Sequence, residues 1–176
     1  MRLIKDALKL DLPTTATRTK RFIKDYVQKT RAEGIVIGLS GGIDSSTAAA
    51  LASLAIGCNQ VTALNMPENE TYNQTDIKHA KTVAKKFGFK IEIIDITPIL
   101  EAFYRSLPIY NANDKLSRGN LKARTRMVHL YYYANHQDKI VCGSSDKSET
   151  MMGYFTKWGD VAADISPLMD LYKTQV

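Results

Sequence analysis

The chain has 176 residues, 44% hydrophobic and 24% charged, with a net charge of +6 and an isoelectric point near 9.2. Those proportions fit one soluble globular domain with an ordinary core, and the positive balance permits an anionic partner without selecting one. No apolar run is long enough to cross a bilayer, MRLIKDALKLDLPTTATRTK lacks the apolar block of a signal peptide, and Cys58 and Cys142 have no metal-type spacing, so a cytoplasmic protein with reduced thiols is expected.

In chain order, the first predicted helix is Thr17–Glu33, where Phe22, Ile23, Tyr26 and Val27 recur at helical spacing. The basic cluster Arg18–Lys24 within it reads as a solvated helix face in preference to a nucleic-acid arm. Strand-like runs follow at Ile35–Leu39, Val61–Met66, Lys90–Ile96 and Lys139–Ser144. Helices are expected between them near Asp44–Ile56, Asn73–Phe87, Thr97–Ser106 and Gly119–Asn135. Apolar strands alternating with helices predict an α/β fold, a parallel sheet with helices on both faces. Tyr110–Ser117 is the expected mobile loop. SPLMDLYKTQV reads as a turn, a cap at Asp170 and the first residues of a helix that then stops, which suggests a fragment of a longer protein. The sequons at Asn69 and Asn73 are short enough to arise by chance.

The informative stretch is SGGIDSS, directly after the IVIGL run and opening the second helix. In an open parallel sheet, ligands sit beyond the carboxyl ends of the strands, which is where this loop falls. Gly41 and Gly42 allow backbone angles and close approach that side chains would forbid. Several N–H groups can then converge on one anion, helped by the positive helix end and the hydroxyls of Ser40, Ser45 and Ser46. The alternative is a tight strand–helix turn with Asp44 as its cap. No lysine follows, so the loop lacks the cation with which a Walker loop holds β- and γ-phosphates.

SGGIDS resembles the pyrophosphate loop of the N-type ATP pyrophosphatases, which cleave between the α- and β-phosphates. Further on come GNLKARTRM (Gly119–Met127), VCGSSDKSE (Val141–Glu149), GYFTKWGD (Gly153–Asp160) and DISPLMDLYKTQV (Asp164–Val176). That succession resembles the ammonia-dependent NAD synthetases, and it covers nearly the whole chain from the loop onward. The resemblance implies an adenine-nucleotide alpha-hydrolase-like, Rossmann-like fold in a single domain over residues 1–176, without the family's C-terminal helices.

It also implies roles. Gly38, Leu39, Ser40, Gly41, Gly42, Ile43, Asp44 and Ser45, with Ser144 and Lys173, would bind ATP. Arg124, Lys157 and Asp164 would bind deamido-NAD, and Asp44 and Glu149 would hold magnesium. Pattern alone leaves rivals open. Arg124 could be a surface ion pair, and Asp146 to Glu149 has capping-box spacing. On a helix, Arg124 and Arg126 point nearly oppositely and should not share one anion. Ser144 stands where the family more often has threonine, and Val161 and Ala162 stand where it often has two glycines. His79, His129 and His136 form no evident cluster, and Trp158 could be core or a stacking surface.

The implied activity is amidation of deamido-NAD to NAD with ATP and free ammonia. It would run through an acyl-adenylate with release of AMP and pyrophosphate, using Mg2+ and no nucleophilic side chain. The resemblance further implies a homodimer, with neither nucleic acid nor membrane as partner. Two rivals remain: a tRNA-modifying enzyme with the same loop, and a truncated form that binds nucleotide without turnover.

Overall fold

The structure is a computed structural model and describes residues 8–176; Met1–Ala7, part of the stretch read for a leader, lie outside them. Four parallel strands, β1 (Ile35–Gly38), β2 (Val61–Asn65), β3 (Lys90–Ile93) and β4 (Ile140–Cys142), pair in the order β3-β2-β1-β4. Ile35 lies against Val61 on one side and Ile140 on the other, and Thr62 against Lys90.

Alternation along β1 sorts the core. Ile35 and Ile37 face a cluster built from α1 (Leu12–Thr30), α2 (Ile43–Ile56) and α3 (Gln74–Phe87). Val36 faces the opposite cluster, where Leu100 of α4 (Thr97–Ser106) and Ala134 of α5 (Lys115–His136) lie. All three β1 residues are fully buried, and burial of such side chains contributes roughly 1.5–3 kcal/mol each. α2 brings only alanines to the middle of its face, Ala48, Ala49 and Ala52, all fully buried, so its backbone lies close to the sheet. Ser53 ties its far end to α3 by donating to the Phe87 carbonyl oxygen at 2.9 Å.

Several sequence expectations are corrected. α1 begins at Leu12, not Thr17, because Pro13 fits the first turn of a helix, where no N–H is needed. Within it, Ile23 and Val27 are buried while Phe22 and the basic residues Arg18, Arg21 and Lys24 are exposed. α5 begins at Lys115, so Lys115–Ser117 are helix, not loop; Asp114 caps the helix by accepting from the Ser117 N–H at 3.0 Å. The strand expected over Lys90–Ile96 ends at Ile93, and the one over Lys139–Ser144 is Ile140–Cys142. Asp170 caps nothing: the chain turns and forms a short 3-10 segment, Lys173–Gln175, preceded by Tyr172. A last short helix, α6 (Lys147–Met152), follows β4.

Candidate active site

With the strands ordered 3-2-1-4, the chain leaves β1 in one direction towards β2 and returns on its other side as β4. The switch point between β1 and β4 is the crevice where open α/β sheets take ligands. The glycine-rich turn lies at the mouth of that crevice. Gly41 has φ +96°, and a Cβ there would stand 2.3 Å from the Asp76 carbonyl oxygen, so only glycine lets α3 approach the turn. Gly42 is the N-cap of α2 and has no side chain to offer, leaving the first-turn N–H groups of Ile43, Asp44 and Ser45 without an acceptor inside the helix. Asp44 is therefore in the first turn and is not the cap. Ser40 and Ser45 shape the bend: their hydroxyls are 3.0 Å apart, the Ser40 N–H donates to Ser45 Oγ, and the Gly42 N–H donates to Ser40 Oγ.

Beside the turn, one carboxylate oxygen each from Asp44, Asp146 and Glu149 lie within 4.8 Å of one another. α2 supplies the first. The capping box of α6 supplies the other two: Asp146 accepts from the Glu149 N–H at 2.8 Å, and Glu149 reaches back to the Asp146 N–H. The box and the cluster are thus one arrangement, and the two sequence alternatives for Glu149 coincide. Lys173 enters from the C-terminal segment. Its ammonium donates to Asp44 Oδ2 and lies 3.0 Å from Asp146 Oδ2 and 3.4 Å from Glu149 Oε1. Burial works against its charge, but Asp44 and then Asp146 outweigh that and hold it above the usual lysine range. Burial likewise works against the Asp146 charge, yet the Glu149 N–H and the Lys173 ammonium keep it below the usual carboxylate range.

These residues fit magnesium. The donor set is all oxygen, Asp146 is fully buried, and Asp44 Oδ1 is buried without a hydrogen-bond partner. Three carboxylates facing one ammonium leave two negative charges uncompensated.

A cavity of about 460 Å³ opens from the turn across the ends of β1, β2 and β4. Gly38, Leu39, Ser40 and Ser45 line one end, Gly143 and Ser144 another, and Leu64, Met66, Met127 and Leu130 give it apolar walls. Ala123 also lines it, so the apolar residues of α5 are divided: Ala123, Met127 and Leu130 reach the cavity, while Leu130, Tyr131 and Ala134 join the core.

Arg124 and Lys157 lie together, but away from the cavity lining. Arg124 is exposed and donates from Nε to the Lys157 carbonyl oxygen at 3.2 Å. Trp158 is exposed, not core, with the Lys157 ammonium 5.7 Å from its ring centre. Asp164 is engaged at the sheet, accepting from the Val141 N–H at 2.7 Å and from the Tyr131 hydroxyl at 3.4 Å. The segment holding Lys157 is fixed onto α5 by Thr156, which donates to Asn120 Oδ1 at 2.8 Å.

Sequence reasoning missed three residues at the site. Asp146 was weighed only as a cap, although a capping box puts both of its side chains on one side of the helix start. Arg126 lines the cavity that Arg124 does not; helical periodicity gives their opposition but not which of them faces the cavity. Asn65 is buried at the end of β2, with Nδ2 donating to the Leu39 carbonyl oxygen at 2.7 Å and Oδ1 left without a partner. An asparagine closing an apolar run was the available signal.

A strand–glycine turn–helix cradle, an acidic cluster and an apolar cavity at the switch point mark an α/β protein of the Rossmann-like kind. The family profile described as NAD synthase matches residues 15–176, and the chain belongs to that family. It is 43% identical over 173 residues to the NH(3)-dependent NAD(+) synthetase of Aeropyrum pernix, covering 97% of this chain and 60% of that protein. It is 49% identical over 157 residues to the one from Methanocaldococcus jannaschii, covering 89% and 60%. The chain thus spans about 60% of the length of these curated relatives. Among solved structures, the NH3-dependent NAD synthetase from Campylobacter jejuni is 34% identical with a TM-score of 0.87, covering 94% of this chain and 70% of that one. An NMN synthetase from Francisella tularensis is 38% identical with a TM-score of 0.88, covering 95% and 68%.

Proposed function

We propose that the chain carries the ATP-activating site of an ammonia-dependent NAD synthetase, which amidates deamido-NAD to NAD in the cytoplasm as a homodimer. The observation that carries this reading is the pairing of a lysine-free amide cradle with an all-carboxylate cluster at one sheet edge. A grip of that kind suits a departing pyrophosphate, and relatives at 43% and 49% identity bear the name of that activity.

In the first step a nicotinate carboxylate oxygen bonds to the α-phosphorus while the bond from that phosphorus to the α,β-bridging oxygen breaks. An acyl-adenylate and pyrophosphate result. In the second, ammonia nitrogen bonds to the acyl carbon, AMP leaves with the electron pair of the broken C–O bond, and a proton is lost. The first-turn amides of α2 and the hydroxyls of Ser40 and Ser45 receive the pyrophosphate oxygens, and Ser144 faces the same cavity from β4. Asp44, Asp146 and Glu149 would hold Mg2+, which supplies charge neutralisation for the leaving diphosphate. Lys173, at the edge of that cluster, would reach the same phosphates. Gly38, Leu39 and the apolar walls enclose the nucleoside, and the surface formed by Arg124 and Lys157, together with Asp164, takes the dinucleotide.

The test is formation of NAD from deamido-NAD, ATP and ammonium, with AMP and pyrophosphate appearing one for one. Release of ADP, or pyrophosphate release that needs some other acceptor, overturns the reading. The Francisella structure favours a second one, amidation of the mononucleotide acid to NMN at the same site. Comparing kcat/KM for the two acids in the same assay separates them.

A further inference from the structure

α5 presents three cations at four-residue spacing, Arg118, Lys122 and Arg126, which places them along one side of the helix. Each grips the segment that follows β2. Arg118 pairs with Glu70, Lys122 bridges Glu68 and Glu70 at 2.9 and 2.7 Å, and Arg126 Nε donates to the Met66 carbonyl oxygen at 3.0 Å. Glu68, itself buried, is fixed from its own side by the N–H groups of Glu70 and Thr71 and by the Thr71 hydroxyl.

The first two cations are matched by carboxylates. The third is not: Arg126 has no ion pair among the described residues, and only Nε of its guanidinium has a protein acceptor there. A guanidinium offers five N–H donors in a planar fork suited to oxyanions. Burial lowers the Arg126 pKa from its ordinary value, and the Glu68 charge opposes that shift. It is also the one cation among the described residues that line the cavity.

We propose that Arg126 is a ligand-contacting residue whose guanidinium takes an oxyanion of the bound substrates, and that Arg118 and Lys122 are positioning residues holding the segment it braces. The oxyanion is either an ATP phosphate or the carboxylate of the acid to be amidated. That second source rests on the amidation reading; the first does not.

The experiment measures binding to the full chain by calorimetry with two matched pairs of ligands. Adenosine and α,β-methylene-ATP differ in phosphate, and NAD and deamido-NAD differ in one carboxylate. Arg126→Met is expected to weaken the member with the extra oxyanion in at least one pair about ten- to a hundredfold, while the counterpart lacking that group changes less than about threefold. Which pair responds identifies the oxyanion. Equal weakening within both pairs means that the variant only disturbs the cavity wall, and no change in either means no contact; both results overturn the proposal. Should Arg126→Met fail to fold, phenylglyoxal labelling of Arg126 in the unaltered chain, mapped by mass spectrometry, decides instead. Protection by the ligand with the extra oxyanion but not by the counterpart lacking it supports the contact, and labelling insensitive to all four overturns it. If the phosphate pair responds while deamido-NAD does not bind at all, the amidation reading fails and Arg126 stands.

Discussion

Gly41 and Asp146 show at the residue scale how little freedom the site leaves. Gly41 has φ +96°, a region that alanine enters at a cost, and a Cβ would meet the Asp76 carbonyl oxygen at 2.3 Å. Gly41→Ala should destabilise the chain by about 2 kcal/mol or more in urea unfolding, since strain and a backbone clash act together. Asp146 has two separable duties. Asparagine caps helices as well as aspartate does, so Asp146→Asn should keep α6 while removing one charge from the cluster. Mn2+ binding without nucleotide, followed by the electron paramagnetic resonance of the free ion, should then weaken about tenfold or more. Lys173→Met should move the same titration the other way, because ammonium and divalent ion compete for the same carboxylate oxygens. An unchanged affinity in both variants would remove the metal from this cluster.

At the scale of elements, legibility followed the placement of punctuating residues. α4 was read at its observed bounds, since Pro98 marks its first turn and β3 ends shortly before it. The start of α5 was read four residues late, at Gly119, with Lys115–Ser117 given to a loop. The helix starts at Lys115 behind its cap Asp114, approached through a turn in which Asn111 Oδ1 accepts from the Asn113 N–H at 2.9 Å. Such side-chain turns leave only polar residues in the sequence, the same signature as a loop. Gly119 therefore sits inside a helix, exposed, and a Cβ added there meets nothing within 4 Å. Gly119→Ala should raise stability by roughly 0.5–1 kcal/mol, read as a shift in urea midpoint with an unchanged slope. The cradle was legible for the opposite reason: its glycines and hydroxyls are contiguous. The partners of Asp44 lie more than a hundred residues away in sequence, and only the strand order brings α6 and Lys173 to it.

Two buried groups, Glu68 and Cys142, contribute to the pH limits of the whole molecule. Burial opposes the charge of Glu68, but its bonds from Thr71 and Lys122 prevail and hold its pKa below the ordinary carboxylate value of 4.5. A lowered pKa means that the folded state favours the ionised form, so this contribution is complete above 4.5 and fades as acid protonates the folded chain. Cys142, on β4, is pushed by burial from 9.0 up to about 12. Between those values the unfolded chain releases a proton that the folded one keeps, so stability falls as pH rises, by roughly 1.4 kcal/mol per unit well inside the interval. Stability measured in urea should therefore be level near neutrality and decline on both sides. Glu68→Gln should flatten the acid limb, and Cys142→Ala should flatten the alkaline limb above pH 9.0 while leaving the acid one unchanged. Parallel alkaline limbs for Cys142→Ala and the unaltered chain would show that the thiol ionises as easily folded as unfolded. That would contradict a sheet closed over Cys142 on both of its faces.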